Sequence, residues 1–68
     1  MKQISGKDFC KALERHGWQL LRIKGSHFVY GKDGRDERIS VPVHKNQPLK
    51  IGLLKHFMKI AEIKEYEL

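Results

Sequence analysis

Apolar residues return along this chain in two different periods, and each change of period marks an element. Between Ser5 and about His16, the residues Phe9, Ala12 and Leu13, with His16 at the margin, recur every three or four positions. That spacing predicts a helix with one buried stripe. Ser5 is suited to cap it, and Asp8 follows three residues later as a shorter relative of the capping-box Glu or Gln. Ile4 and Phe9 hold the positions of a hydrophobic staple, and Gly17 supplies a permissive exit. Lys7, Lys11 and Arg15 are four apart on roughly the opposite side, as a solvated face or as a row contacting phosphates.

The period then shortens. Trp18 to Ile23 contains neither proline nor glycine and is rich in strand formers, so it reads as a first strand. Its adjacent Leu20 and Leu21 break the alternation and predict that both faces are at least partly covered. A Gly25-Ser26 turn leads to a second strand over His27–Tyr30, antiparallel to the first. Gly31 to Asp36 is a polar turn in which Asp33-Gly34 is the strongest hairpin signal of the chain. Arg38 to Val43 alternates, with Ile39, Val41 and Val43 facing one way and Arg38, Ser40 and Pro42 the other. Pro42 cannot donate to a ladder, so this strand lies at an edge or ends there.

His44 to Pro48 reads as a loop, and a second helix is expected to start close to Pro48. Leu49, Leu53, Leu54, Phe57, Met58 and Ala61 give its apolar face; Lys50, Lys55 and Lys59 lie outside it, and His56 sits at the surface edge. The tail from Glu62 to Leu68 can extend the helix, pack back or serve a partner. Helix, strand, strand, strand, helix in one domain spanning residues 1–68 predicts an α+β two-layer sandwich. Both helices then lie on one side of an antiparallel sheet whose other face is partly open. The double-stranded RNA-binding domain, which recognises duplex shape and backbone, has the same order of elements.

Composition narrows what such a sandwich can do. Sixty-eight residues give one thin core, too little to enclose a deep cofactor cleft. Chemistry must occupy the surface or a shallow groove, or be completed by a second subunit. Fourteen Lys and Arg against eight Asp and Glu leave a net charge of +6, which attracts polyanions and speeds their encounter. Cys10 is single, so the chain builds no disulfide framework, which fits a reducing cytoplasm. No signal peptide and no run of about 20 apolar residues is present, so no membrane partner is expected.

The same elimination applies to cofactors and metals. Four histidines at 16, 27, 44 and 56 offer no short-spaced metal pair, and no Gly-x-x-x-x-Gly-Lys phosphate loop occurs. Imidazoles, lysines, arginines and the Ser26 hydroxyl remain. They concentrate in Lys24-Gly25-Ser26-His27-Phe28-Val29-Tyr30, where a tight turn delivers a histidine to the start of a strand. Metal-free RNA cleavage needs a base for the 2′-hydroxyl proton, an acid for the leaving 5′-oxygen and positive charge for the phosphoryl oxygens. His27 fits the base or the acid, and Lys24 or Arg22 can steady the phosphate. Ser26 suits a backbone cap or a phosphate hydrogen bond better than a nucleophile, because no acid is apparent to orient a Ser–His pair. His44 is a second imidazole that could complete an acid–base pair, with Lys45 beside it. A non-catalytic RNA-binding module or a protein-interaction module would use the same basic surface.

Gly17-Trp18, Lys24-Gly25-Ser26-His27-Phe28-Val29-Tyr30, Ile39-Ser40-Val41-Pro42-Val43-His44 and Pro48-Leu49-Lys50-Ile51-Gly52-Leu53-Leu54-Lys55 together resemble the HicA family of toxins. These are the small toxin halves of toxin–antitoxin pairs. The resemblance implies a double-stranded-RNA-binding-like fold and a ribosome-independent endoribonuclease that cuts mRNA and stops translation. It carries the family's catalytic histidine onto His27 and its Gly-Ser onto Gly25-Ser26. It also implies an acidic HicB-like antitoxin that covers the active surface. Phe28 stands where many members have a second histidine, and the tail after Ala61 is longer and more acidic than in the shortest members.

Overall fold

A computed structural model of the chain describes residues 3–68. The order is α1 (Gly6–Arg15), β1 (Gln19–Lys24), β2 (His27–Gly31), β3 (Ile39–Pro42) and α2 (Ile51–Ala61), closed by a 3₁₀ turn at Glu65–Glu67. The three strands form one antiparallel sheet in the order β1-β2-β3. Both helices flank it, which is the two-layer α-β-β-β-α sandwich the alternation of periods predicts.

Ser5 caps α1 as expected: its side-chain oxygen accepts from the Asp8 backbone N–H at 3.1 Å. Phe9, Cys10, Ala12 and Leu13 turn inward, and Lys7, Lys11 and Arg15 are exposed. On the sheet, Tyr30 pairs with Ile39 and Phe28 with Val41. These residues enter the core with Phe9, Leu13, Trp18, Leu54 and Phe57. Phe9 and Phe57 join the two helices through rings stacked at 5.8 Å. Tyr30 ties β2 to α1, donating its hydroxyl to Glu14 Oε2 at 2.6 Å. Arg35 clamps the β2–β3 connection to the end of α2. Its guanidinium lies over Trp18, 5.6 Å from the ring centroid, and donates to the Ile60 carbonyl at 2.7 Å.

Three expectations are corrected. The first strand is not covered on both faces: Trp18 belongs to the core, but all six residues of β1 are exposed. The helices leave this edge strand uncovered, and the adjacent leucines reflect a bulge. The register slips between Leu20 and Arg22, so the leucine pair marks one extra residue rather than two buried faces. The second helix begins at Ile51, not near Pro48. Pro48 is held in an isolated bridge to Ser5, and the Leu49 N–H donates to the Ile4 carbonyl at 2.8 Å. Long-range pairing with the entry to α1 thus keeps this segment extended through the Lys50 cap. Gly31 belongs to β2, where it is buried, and not to the polar turn.

The tail packs back. Glu62 takes a left-handed conformation (φ 58°) that ends α2, after which Ile63 is buried and Leu68 packs against the core. No helix is long and apolar enough to cross a membrane among the described residues.

Candidate active site

Alternation along β2 decides what the uncovered sheet face carries. Phe28 and Tyr30 point to the helices, so His27 and Val29 point away from them. Two rows cross that outer face. Lys24 pairs with His27 and His27 with Pro42, while Arg22 pairs with Val29 and Val29 with Ser40. Neighbouring strands lie about 4.8 Å apart, so each row presents its side chains side by side. The β1 bulge is essential here. It absorbs Leu21 and keeps Arg22 and Lys24 on the same side as His27.

These residues surround one shallow concavity lined by Arg22, Lys24, Gly25, Ser26, His27, Val29, Arg38 and Ser40. His27, Arg22, Lys24, Arg38 and Ser40 are exposed, whereas Val29 is buried beneath them. Cations therefore ring an apolar floor with an imidazole and a hydroxyl within the same groove. The tight turn that presents His27 is fixed at both ends. Gly25 adopts φ 61°, a region glycine enters without strain, and the Ser26 carbonyl accepts from the Val43 N–H at 2.8 Å. That bond laces the β1–β2 turn to the end of β3.

Arg22, Lys24 and Ser26 are thus brought together with His27. His44 and Lys45 do not line this concavity. His44 faces a different concavity, lined by Pro42, Gln47, Pro48, Leu49, Lys50 and Leu53. Lys45 is exposed in the loop between β3 and α2, in a left-handed conformation (φ 52°). Two residues distant from His27 in the chain join it, Arg38 and Ser40. The alternation of the third strand sets them on one face; only the strand register reveals that the face is that of His27. Arg38 is steadied at this rim, its Nη1 donating to the Glu37 carbonyl at 3.0 Å. At the far end of the face Leu21 and Arg38 fill the space above Gly31, where a Cβ would come within 2.8 Å of Leu21 Cδ1 and 3.2 Å of Arg38 Nη1.

The exposed row Lys7, Lys11 and Arg15 belongs elsewhere. It lies on the solvent side of α1, whose other side packs on the sheet face opposite to His27. The molecule measures 29 × 28 × 18 Å, so the two basic surfaces look in opposite directions across its body. No group of three His, Cys, Asp or Glu side chains able to hold a metal ion occurs among the described residues.

A family model described as HicA toxin of bacterial toxin–antitoxin matches residues 6–63, from the first residue of α1 past the end of α2. No curated protein matches the chain.

Proposed function

The chain belongs to the HicA toxin family, and on that footing we propose that it is a metal-independent endoribonuclease of mRNA in which His27 is the general base. One observation carries this reading. A histidine, three cations (Arg22, Lys24 and Arg38) and a hydroxyl (Ser40) share the open face of the sheet around a single groove.

The chemistry follows from these groups. The ribose 2′-oxygen attacks the adjacent phosphorus as neutral His27 takes its proton. The bond from phosphorus to the 5′-oxygen breaks, leaving a 2′,3′-cyclic phosphate on one fragment. The departing 5′-oxygen takes a proton from the Lys24 ammonium or from water in the open groove, and the other fragment ends in a 5′-hydroxyl. Arg22 and Arg38 neutralise the phosphoryl oxygens as charge builds on them, which is where fixed cations lower the barrier most. Ser26 and Ser40 supply hydrogen bonds to the same phosphate. His44 takes no part in this scheme, because it faces another concavity.

Geometry also bears on the form of the RNA. A duplex lying along the Lys7–Lys11–Arg15 row would be held on the far side of the molecule from His27. A single strand crossing the open sheet face meets all five groups. Contacts of this kind are to the backbone and carry no sequence information. The partner is a HicB-like acidic antitoxin, whose charge complements the chain's +6.

The experiment is cleavage of a synthetic single-stranded RNA by the parental protein and by His27→Ala. The variant should unfold at the parental temperature and bind the RNA comparably, yet cleave about 10²–10⁴-fold more slowly. Excess EDTA should leave the parental rate unchanged. Cleavage by His27→Ala at the parental rate overturns the assignment. RNA that the parental protein binds but never cuts would leave the non-catalytic RNA-binding module in its place.

A further inference from the structure

The helices finish the core over β2 and β3 but stop short of β1. Tyr30, Ile39 and Val41 are buried to within 1 % of complete, whereas Leu20 and Ile23, on the same side of the sheet, are 43 % and 54 % exposed. Leu21, in the bulge, is 50 % exposed. β1 is also an edge strand: its outer side has no neighbour in the β1-β2-β3 sheet. Unpaired backbone groups beside exposed apolar side chains form a template for another strand.

We propose that β1 is the docking edge for an extended strand of a protein partner, with apolar side chains toward the helices and carboxylates toward the open face. This rests on the toxin reading above, and it assigns the antitoxin a surface. The alternation dictates the partner's chemistry. A strand added to β1 sets one side of itself beside Leu20 and Ile23 and the other beside Arg22 and Lys24. Apolar side chains satisfy the first pair and Asp or Glu the second.

Two other occupants fit less well. A second copy paired through β1 would bring Arg22 and Lys24 against their own counterparts, between molecules that each carry +6. RNA gains little from Leu20 and Ile23, since neither is aromatic and bases stack on rings.

Docking there also reaches the groove, because Lys24 of β1 pairs directly with His27. Carboxylates beside Arg22 and Lys24 neutralise one of the two arginines proposed to receive the phosphate and the ammonium proposed as a proton donor to the leaving oxygen. Inhibition through this edge is therefore electrostatic as well as steric, and it weakens as salt rises.

The test uses the full chain and a HicB-like antitoxin. In the parental complex, amide exchange at Gln19–Lys24 should slow relative to the free chain. Leu20→Glu/Ile23→Glu should keep the parental unfolding temperature and cleavage rate while the Kd for antitoxin rises about 25-fold or more, a factor of about five for each central apolar side chain replaced. Leu20→Ser/Ile23→Ser, which adds no charge, should weaken binding in the same direction and serves if the glutamate pair fails to fold. Unchanged exchange across β1 with the parental antitoxin affinity kept by both variants overturns the proposal, as does an antitoxin that does not bind the parental chain. Self-association abolished by the substitutions would assign the edge to a second copy, and RNA affinity abolished by them would assign it to substrate; either also overturns the proposal. A parental chain that binds antitoxin through β1 but does not cleave RNA would refute the nuclease reading and leave the edge standing.

Discussion

Replacing Tyr30 by Phe isolates the bond that ties the strand of His27 to α1. The ring is 1 % exposed and phenylalanine keeps its packing, so the change removes little beyond the hydroxyl and its 2.6 Å bond to Glu14. A hydrogen bond to a charged group contributes about 1.5–3 kcal/mol. Glu14 is exposed and regains water when the hydroxyl goes, which places the loss near the lower end, about 1.5 kcal/mol. For a domain of this size that lowers the Tm by roughly 6–12 °C. The gap should also depend on pH. Burial, then the hydrogen bond to Glu14 and the neighbouring Cys10, push the Tyr30 phenol well above its ordinary 10.0. Below pH 10 the phenol is protonated in both states, and its contribution to stability is intact. Above it the unfolded chain sheds the proton while the folded chain holds it, so the parent loses stability that the variant never had. Calorimetry or urea unfolding of both proteins from pH 7 to 11 reads this directly: the gap should be full at pH 7 and close as pH rises beyond 10. Tyr30 faces away from His27, so RNA cleavage at 25 °C should not change. A Tm drop below about 2 °C, or a gap that widens at alkaline pH, refutes the role given to this bond.

Two further substitutions separate folding from chemistry. Gly6→Ala should destabilise by about 1–3 kcal/mol or more, because the new Cβ meets the Pro42 carbonyl where α1 starts against the end of β3; a urea midpoint equal to the parent's would contradict that crowding. Lys7→Gln/Lys11→Gln/Arg15→Gln should leave kcat/KM on single-stranded RNA within about twofold, since that row looks away from the groove; a loss comparable to that of His27→Ala would place substrate on α1 instead.

Local signals carry most of the architecture. Ser5, the stripe of Phe9, Ala12 and Leu13, and the alternation through Ile39 and Val41 are readable because caps and periods depend on near neighbours. The features that escape such reading depend on distant ones. Pro48 suits a first helical turn, yet its pairing with Ser5, more than forty residues earlier, keeps it extended. Leu20-Leu21 has the pattern of burial on both sides, and only a register slip against β2 explains it. The left-handed Glu62 that turns the tail back has no glycine to announce it. For the groove, the Gly-Ser-His turn draws attention to His27, Lys24 and Arg22 by proximity in the chain. Arg38 and Ser40 reach it only through strand pairing, and His44 misses it although Pro42 sits directly opposite His27.

The crossing strands β2 and β3 serve two masters residue by residue. Phe28, Tyr30, Ile39 and Val41 hold the molecule together, while the positions between them, His27, Val29 and Ser40, face the groove. Exhaustive substitution along these strands should therefore read as a two-beat rhythm, abundance falling on one beat and toxicity on the next. Drift in substrate choice can proceed on the second beat without touching the first, so a family built this way can diversify its targets while its scaffold stands still.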